Sequence, residues 1–126
     1  MTPWLVLAIA VAGALGATAR FGVTHLFVRR PPRLPWAVFI VNVVGSLLGG
    51  VVIGLSQSGL LAHEWRLILL TGVAGGLTTF STFSVETIQL VHTGRWRAAV
   101  LSVAANLVAG VAAVVLGCCL VLALAG

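Results

Sequence analysis

The chain is short of charge. Only 7% of its 126 residues are charged, against about 25% in an ordinary soluble domain. Its only acids are Glu64 and Glu86, and lysine is absent, so the net charge of +5 rests on seven arginines. With 60% of residues hydrophobic and a mean hydropathy of +1.19, the apolar excess cannot be hidden inside so small a globule, whose surface is large for its volume. Lipid has to be the solvent for most of it. A basic balance would suggest nucleic acid in a soluble protein. Here no basic patch is interleaved with aromatics, and arginines between apolar runs instead mark the cytoplasmic side of a membrane. No nucleic-acid partner is expected.

Cysteine is nearly missing as well. Cys118 and Cys119 are adjacent inside an apolar stretch. Neighbours do not readily meet disulfide geometry, and no other Cys or His stands at metal-ligand spacing. They read as small buried apolar residues. The histidines His25, His63 and His92 fall near the ends of apolar runs, and no nucleophile, base and acid can be assembled into a set. An enzyme is not expected. No basic residue precedes the first apolar run at 4–19, whereas a signal peptide would carry one, so that run is expected to remain as the first span.

What the chain does have is four long apolar runs, at about 4–27, 36–55, 67–91 and 98–125. Each is near or above the ~20 residues that cross a ~30 Å hydrocarbon core. The run Arg29-Arg30-Pro31-Pro32-Arg33-Leu34-Pro35 cannot continue a helix, and polar turns follow at 56–64 and 92–95. Trp4, Trp36, Trp65 and Trp96 each stand at or just before the start of a run. An indole favours that interfacial depth because its ring is buried while its N–H stays hydrated. The expected fold is an all-α membrane protein, a single domain over 1–126 with four transmembrane helices. Loops 1 and 3 carry Arg29, Arg30, Arg33, Arg95 and Arg97, and the opposite side carries Arg66 alone. This bias predicts cytoplasmic loops 1 and 3 with both termini outside.

Glycine is abundant, with 15 residues, and Gly45/Gly49, Gly50/Gly54 and Gly72/Gly76 form small-xxx-small pairs, with Gly13 and Ala17 extending the pattern to helix 1. Such pairs let backbones approach closely where no hydrophobic effect drives association. Helices 2 and 3 are expected to pack tightly, within the chain or against a partner.

Polar groups inside a membrane need a partner or a purpose. Helix 1 holds Arg20, helix 2 holds Asn42 and helix 4 holds Ser102 and Asn106. Helix 3 holds the run Gly75-Gly76-Leu77-Thr78-Thr79-Phe80-Ser81-Thr82-Phe83-Ser84-Val85-Glu86. Paired glycines followed by β-branched and hydroxyl residues are poor helix formers in mid-span, so helix 3 is expected to break near its middle. A kinked helix whose hydroxyls bond back one turn earlier is the alternative. Phe80 and Phe83 share a face at i,i+3. They are either packing residues or, beside Ser81, Thr82 and Ser84, ring edges able to face an anion. Glu86 is either a proton-coupling carboxyl or a hydrated group near a helix end.

This helix 3 run, with Gly13-Ala14-Leu15-Gly16-Ala17-Thr18-Ala19-Arg20 in helix 1 and Val41-Asn42-Val43-Val44-Gly45-Ser46 in helix 2, resembles the CrcB/Fluc family of fluoride channels over essentially the whole chain. The resemblance implies an antiparallel, dual-topology-type dimer in the cell's inner (plasma) membrane, with two fluoride pores along the subunit interface. It implies that Asn42 hydrogen-bonds fluoride, that Phe80 and Phe83 present ring edges to it, and that Ser81, Thr82 and Ser84 line a polar track. Glu86 and Asn106 are candidates for the polar track or for gating. The carbonyls of Gly75 and Thr78 would hold a structural sodium ion shared by both subunits, and Arg20 would draw anions into a vestibule. A hydroxyl that the resemblance implies further along helix 4 is missing at Gly110 and Val114, and Asn106 stands in for it.

The arginine bias points to one-way insertion, so the partner is either a second copy or an oppositely oriented paralogue. The function expected is passive fluoride efflux, and with it fluoride resistance. The competing readings are a proton-coupled small multidrug exporter and an accessory membrane subunit. The exporter would need an acid in helix 1, which has none. The accessory subunit would leave the hydroxyl-rich break without a purpose.

Overall fold

A computed structural model describes residues 2–28 and 34–126, and every regular element in them is helical. Four stretches are long and apolar enough to cross a membrane: Pro3–Phe27, Trp36–Gln57, His63–His92 and Trp96–Ala125. Spans one, two and four are single helices, α1 (Pro3–Val28), α2 (Trp36–Gln57) and α6 (Trp96–Ala125). α1 opens on Pro3, whose missing N–H is one of the donors a helix start leaves unpaired anyway. The third span is assembled from pieces. α3 (His63–Leu67) widens into a π-helical stretch, Ile68–Ala74, and closes on one turn, α4 (Gly75–Leu77). After a break at 78–80, α5 (Ser81–His92) resumes.

Spans three and four start earlier than their apolar runs, at His63 and Trp96. A first turn tolerates polar side chains, and an acid there, Glu64, complements the helix dipole. Trp65 thus lies inside the first turn of its helix rather than ahead of it. All four indoles are exposed, and Arg97 lies 5.6 Å from the Trp96 ring centroid, a cation–π contact at the start of α6. The turns before α3 and α6 use Gly59 at φ 70° and Gly94 at φ 75°, a backbone region open to residues without a Cβ. Arg29, Arg30, Pro31, Pro32 and Arg33, which carry the expected charge of loop 1, lie outside the described residues.

Glycines set the helix pairing. A Cβ on Gly50 would meet the Val114 backbone, on Gly54 the Cys118 backbone, and on Gly117 the carbonyl of Leu47 at 2.6 Å. The pairs 50/114 and 54/118 rise together, so α2 and α6 run parallel. Along α1, a Cβ on Gly72 would meet the Ala12 side chain, one on Gly76 the Gly13 carbonyl, and one on Gly16 the Leu77 nitrogen, so the numbers rise together here too. α1 and the third span therefore also run parallel. The starts of α2 and α6 therefore lie at the same end of the bundle. The tight packing expected of helices 2 and 3 is thus satisfied within the chain, with Gly16 rather than Ala17 continuing the helix 1 stripe and Gly117 adding a fourth helix to it.

α2 is the centre of the bundle. Val38, Val41 and Val52 are at most 2% exposed, and Gly45, Gly49, Gly50 and Gly54 are buried beside them. The outer helices are apolar on their outward faces, with Phe21 at 72% and Val108 at 69% exposure. Apolar surface of that extent suits a helix long and apolar enough to cross a membrane. The cysteines depart from expectation. Cys118 is half-buried and Cys119 exposed, because the narrow core admits glycine and alanine along the α2–α6 seam and turns larger side chains outward.

Candidate functional site

The helix break is present, and it falls after the glycine pair rather than at it. Gly75 is still helical at φ −64°, ψ −37°, and the chain turns extended at Thr78, ψ 157°. Gly76 serves close packing against α1, and the hydroxyl residues carry the break. Back-bonding hydroxyls, the alternative considered for this segment, occur on both sides of it. Thr78 Oγ1 donates to the Ala74 carbonyl at 3.0 Å, Ser84 Oγ to that of Phe80 at 2.8 Å, and Thr87 Oγ1 to that of Phe83 at 2.7 Å.

A mid-membrane break leaves backbone groups that must find partners elsewhere. In a continuous helix the Thr79 N–H would bond to the Gly75 carbonyl; here it donates to Asn42 Oδ1 at 2.9 Å. The Thr79 carbonyl accepts in return from Asn42 Nδ2 at 3.3 Å, so one amide from α2 grips both polar groups of one residue. The Thr78 carbonyl accepts from Arg20 Nη1 at 2.9 Å. The Thr82 N–H donates to Thr79 Oγ1 at 3.2 Å, the kind of bond a capping side chain makes at a helix start. Asn42 Nδ2 also donates to Asn106 Oδ1 at 3.1 Å, and Asn106 Nδ2 donates to the Ser102 carbonyl at 2.9 Å. Three helices are thereby laced to the break.

Beside it lies a groove of about 450 Å³ walled by Asn42, Ser46, Thr78, Thr79, Phe80, Phe83 and Asn106, with Val103 and Leu107 as its apolar floor. The Phe80 and Phe83 ring centroids are 6.1 Å apart with planes tilted by 44°. Thr79 is buried whereas Phe80 is 81% exposed, so the groove is open on the Phe80 side. The first N–H groups of α5 have no acceptor within their own helix, and its N-terminus carries the positive end of the dipole toward this groove.

Of the expected site residues, Asn42, Phe80, Phe83, Thr78 and Asn106 come together here. Arg20 reaches the same break from α1. Ser81 and Thr82 follow at the head of α5 and are exposed, and Ser84, whose hydroxyl proton is already given to Phe80, stands one turn on. Glu86 belongs to a separate cavity of about 280 Å³ with Gln89, Thr93 and Arg95, Leu34 and Pro35, and its Oε2 is buried without a hydrogen-bond partner among the described residues. Thr79 was not singled out from the sequence, although a threonine three residues ahead of Thr82 at a helix start is a readable capping pattern. Ser46 was quoted only as part of a motif. Its hydroxyl lies 3.5 Å from where a Cβ on Gly110 would stand, so a hydroxyl faces the helix 4 position that lacks one.

The carbonyls expected to hold sodium stand at the break. Gly75 is exposed, and its carbonyl is released when the Thr79 N–H turns to Asn42. The Thr78 carbonyl keeps one lone pair beside Arg20. Carbonyl oxygens are the right kind of donor to replace a monovalent cation's hydration shell, but such shells are built from rings of them. One chain supplies two. The residues fit the ion in kind and need a second chain to fit it in number. Among the described residues no group of three or more His, Cys, Asp and Glu side chains could hold a metal.

The family model described as "CrcB-like protein, Camphor Resistance (CrcB)" matches residues 7–118. The chain is 42% identical over 110 residues to "Fluoride-specific ion channel FluC" of Saccharophagus degradans, an alignment covering 86% of this chain and 83% of that protein. It is 41% identical over 114 residues to the protein of the same name from Nitratidesulfovibrio vulgaris, covering 89% and 92%. It is 45% identical over 103 residues to "Fluoride-specific ion channel FluC 1" of Leifsonia xyli, covering 81% and 75%.

Proposed function

The chain belongs to the CrcB-like family, and we propose that it is the subunit of a fluoride-selective channel that lets fluoride leave the cell passively and so confers fluoride resistance. It is a multi-pass protein of the plasma membrane, and its relatives bear the name of an ion channel rather than an enzyme.

The observation that carries the reading is the groove at the break. Fluoride is small and strongly hydrated, so a pore must replace its water, yet it must not hold the ion so tightly that conduction stops. The groove offers moderate attraction from several sources: an amide, two ring edges, hydroxyls and the N-terminus of α5. No charged residue lines it: Arg20 reaches the break beside it with a donor committed to the Thr78 carbonyl, and Glu86 lines a different cavity. Phe80 and Phe83 present ring edges, which carry partial positive charge. Asn42 supplies an N–H by exchanging its longest bond, the one at 3.3 Å to Thr79. Ser81 and Thr82 continue the path with exposed hydroxyls, and Ser84 joins it when its hydroxyl rotates away from Phe80. Asn106 joins the track inside the groove beside Asn42, and Glu86, in its separate cavity, is a candidate for gating.

A groove open beside an 81% exposed phenylalanine is half a pore. A second chain, packed antiparallel, would close it and make two pores along the interface. Gly75 and Thr78 carbonyls from both chains would then hold a sodium ion, whose charge offsets that of fluoride nearby. The arginine bias favours an oppositely oriented paralogue as partner over a second copy. Labelling the termini with a reagent confined to one side tests this, and equal labelling from both sides would reject one-way insertion.

The deciding experiment is fluoride efflux from liposomes containing the protein, read with a fluoride electrode against a chloride control. Rapid fluoride-selective efflux, lost on Phe80→Ile or Asn42→Asp, is expected. Asp keeps the acceptor for Thr79 N–H but cannot donate to the Thr79 carbonyl or to Asn106. No efflux from folded protein, alone or with an added paralogue, would refute the channel reading.

A further inference from the structure

Arg20 occupies an unusual position for a membrane arginine. It sits on the α1 stripe that also presents Gly13 and Gly16, one turn beyond the glycine that lies against Val73 and Leu77. That backbone contact fixes the distance between α1 and the third span, and Nη1 of Arg20 then meets the Thr78 carbonyl at 2.9 Å. In an unbroken helix this carbonyl would accept from Thr82 N–H, which instead caps onto Thr79 Oγ1 at 3.2 Å. Carbonyls at a helix C-terminus lack donor partners and carry the negative end of the dipole. A guanidinium satisfies both needs at once, with a bond of the strong, charge-assisted kind.

Resting on the channel reading above, we propose that Arg20 is a positioning residue of the conduction site: its guanidinium caps the Thr78 carbonyl and keeps Thr78 extended. Asn42 grips the next residue, Thr79, through both its polar groups. Successive residues of the break are thus held by side chains from two different helices. Without Arg20, the Thr78 carbonyl has one ready replacement, the Thr82 N–H. Taking it would re-form a helical turn, pull Thr82 from its cap and swing Phe80 out of the groove. On this account Arg20 acts through backbone geometry, and its charge does not serve to gather anions from water.

The two roles separate experimentally. In Arg20→Met, which keeps the stem and loses the donors, amide hydrogen exchange at Thr79 should quicken about tenfold or more, as expected when a strong hydrogen bond restraining a local opening is lost, while Thr82, whose N–H passes to the Thr78 carbonyl, stays protected. Fluoride efflux should fall at least tenfold, and equally at 50 mM and 500 mM of an impermeant salt. Exchange at Thr79 within twofold of the unsubstituted protein would overturn the proposal. So would an efflux loss that disappears at high salt, where screening removes the reach of a vestibule charge. Should the Met variant not fold, the unsubstituted protein still decides: with ¹⁵N-arginine labelling, a held guanidinium gives a resolved, slowly exchanging Nη signal, and a single rotationally averaged signal would overturn the cap. If the unsubstituted protein carries no fluoride, the functional reading fails, while the exchange comparison still judges Arg20.

Discussion

Replacing Gly16 by alanine, set beside the same change at Gly13, tests the joint between α1 and the broken span. Both glycines lie in α1, and alanine raises helix propensity at either by up to about 1 kcal/mol, so the intrinsic gain cancels in the comparison. What differs is the space. A Cβ on Gly13 meets only the Gly72 carbonyl at 3.7 Å, an ordinary contact. A Cβ on Gly16 runs into the Val73 carbonyl and comes within 2.8 Å of the Leu77 nitrogen and 3.1 Å of the Gly76 carbonyl carbon. These are backbone atoms that cannot rotate away. Relieving the Leu77 contact alone to about 3.5 Å requires α1 to retreat by at least roughly 0.7 Å, the Val73 carbonyl demanding more, and overpacking of this kind costs about 1–3 kcal/mol. That is roughly a 5- to 160-fold change in the folded-to-unfolded ratio. The same retreat would stretch the 2.9 Å Arg20–Thr78 bond to about 3.6 Å, outside hydrogen-bonding range. Gly16→Ala should therefore lose both stability and flux, and Gly13→Ala neither. Thermal loss of monodisperse protein in detergent measures the first, and liposome efflux at matched protein the second. Equal behaviour of the two variants would show that α1 does not meet the third span through Gly16, and the packing argument would fall.

Other outcomes follow from single contacts. Thr79→Val removes the cap on Thr82 N–H and should cost about 1 kcal/mol with faster exchange at that amide, whereas Thr79→Ser should behave as the parent. Asn106→Leu strands one N–H of Asn42, a loss of about 1–3 kcal/mol that a lower thermal midpoint and reduced efflux would reveal. Ser102 is only 5% exposed and its hydroxyl has no partner, so Ser102→Ala should be neutral or stabilising by up to about 1 kcal/mol; a clear drop in the midpoint would mean the hydroxyl is bonded.

Much of this protein was determined by sequence alone. The dearth of charge and four apolar runs require a membrane and four helices, because hydropathy and length are sums over residues that need no knowledge of neighbours. Tryptophan placement and the hydroxyl-rich run around Phe80 and Phe83 likewise belong to the chain itself. Tertiary structure decided the rest. The sequence places a break near the middle of helix 3 but does not say at which residue; the glycine pair stays helical, with Gly76 against Gly13, and the chain turns extended at Thr78. Whether Cys119 faces inward depends on which seam the glycines occupy. Arg20 reads as a charge at a helix end until the parallel pairing of α1 with the third span brings it to a carbonyl 58 residues away. That partner is invisible in one dimension, because a backbone carbonyl is the same at every residue, and only the fold selects which one is left without its helical hydrogen.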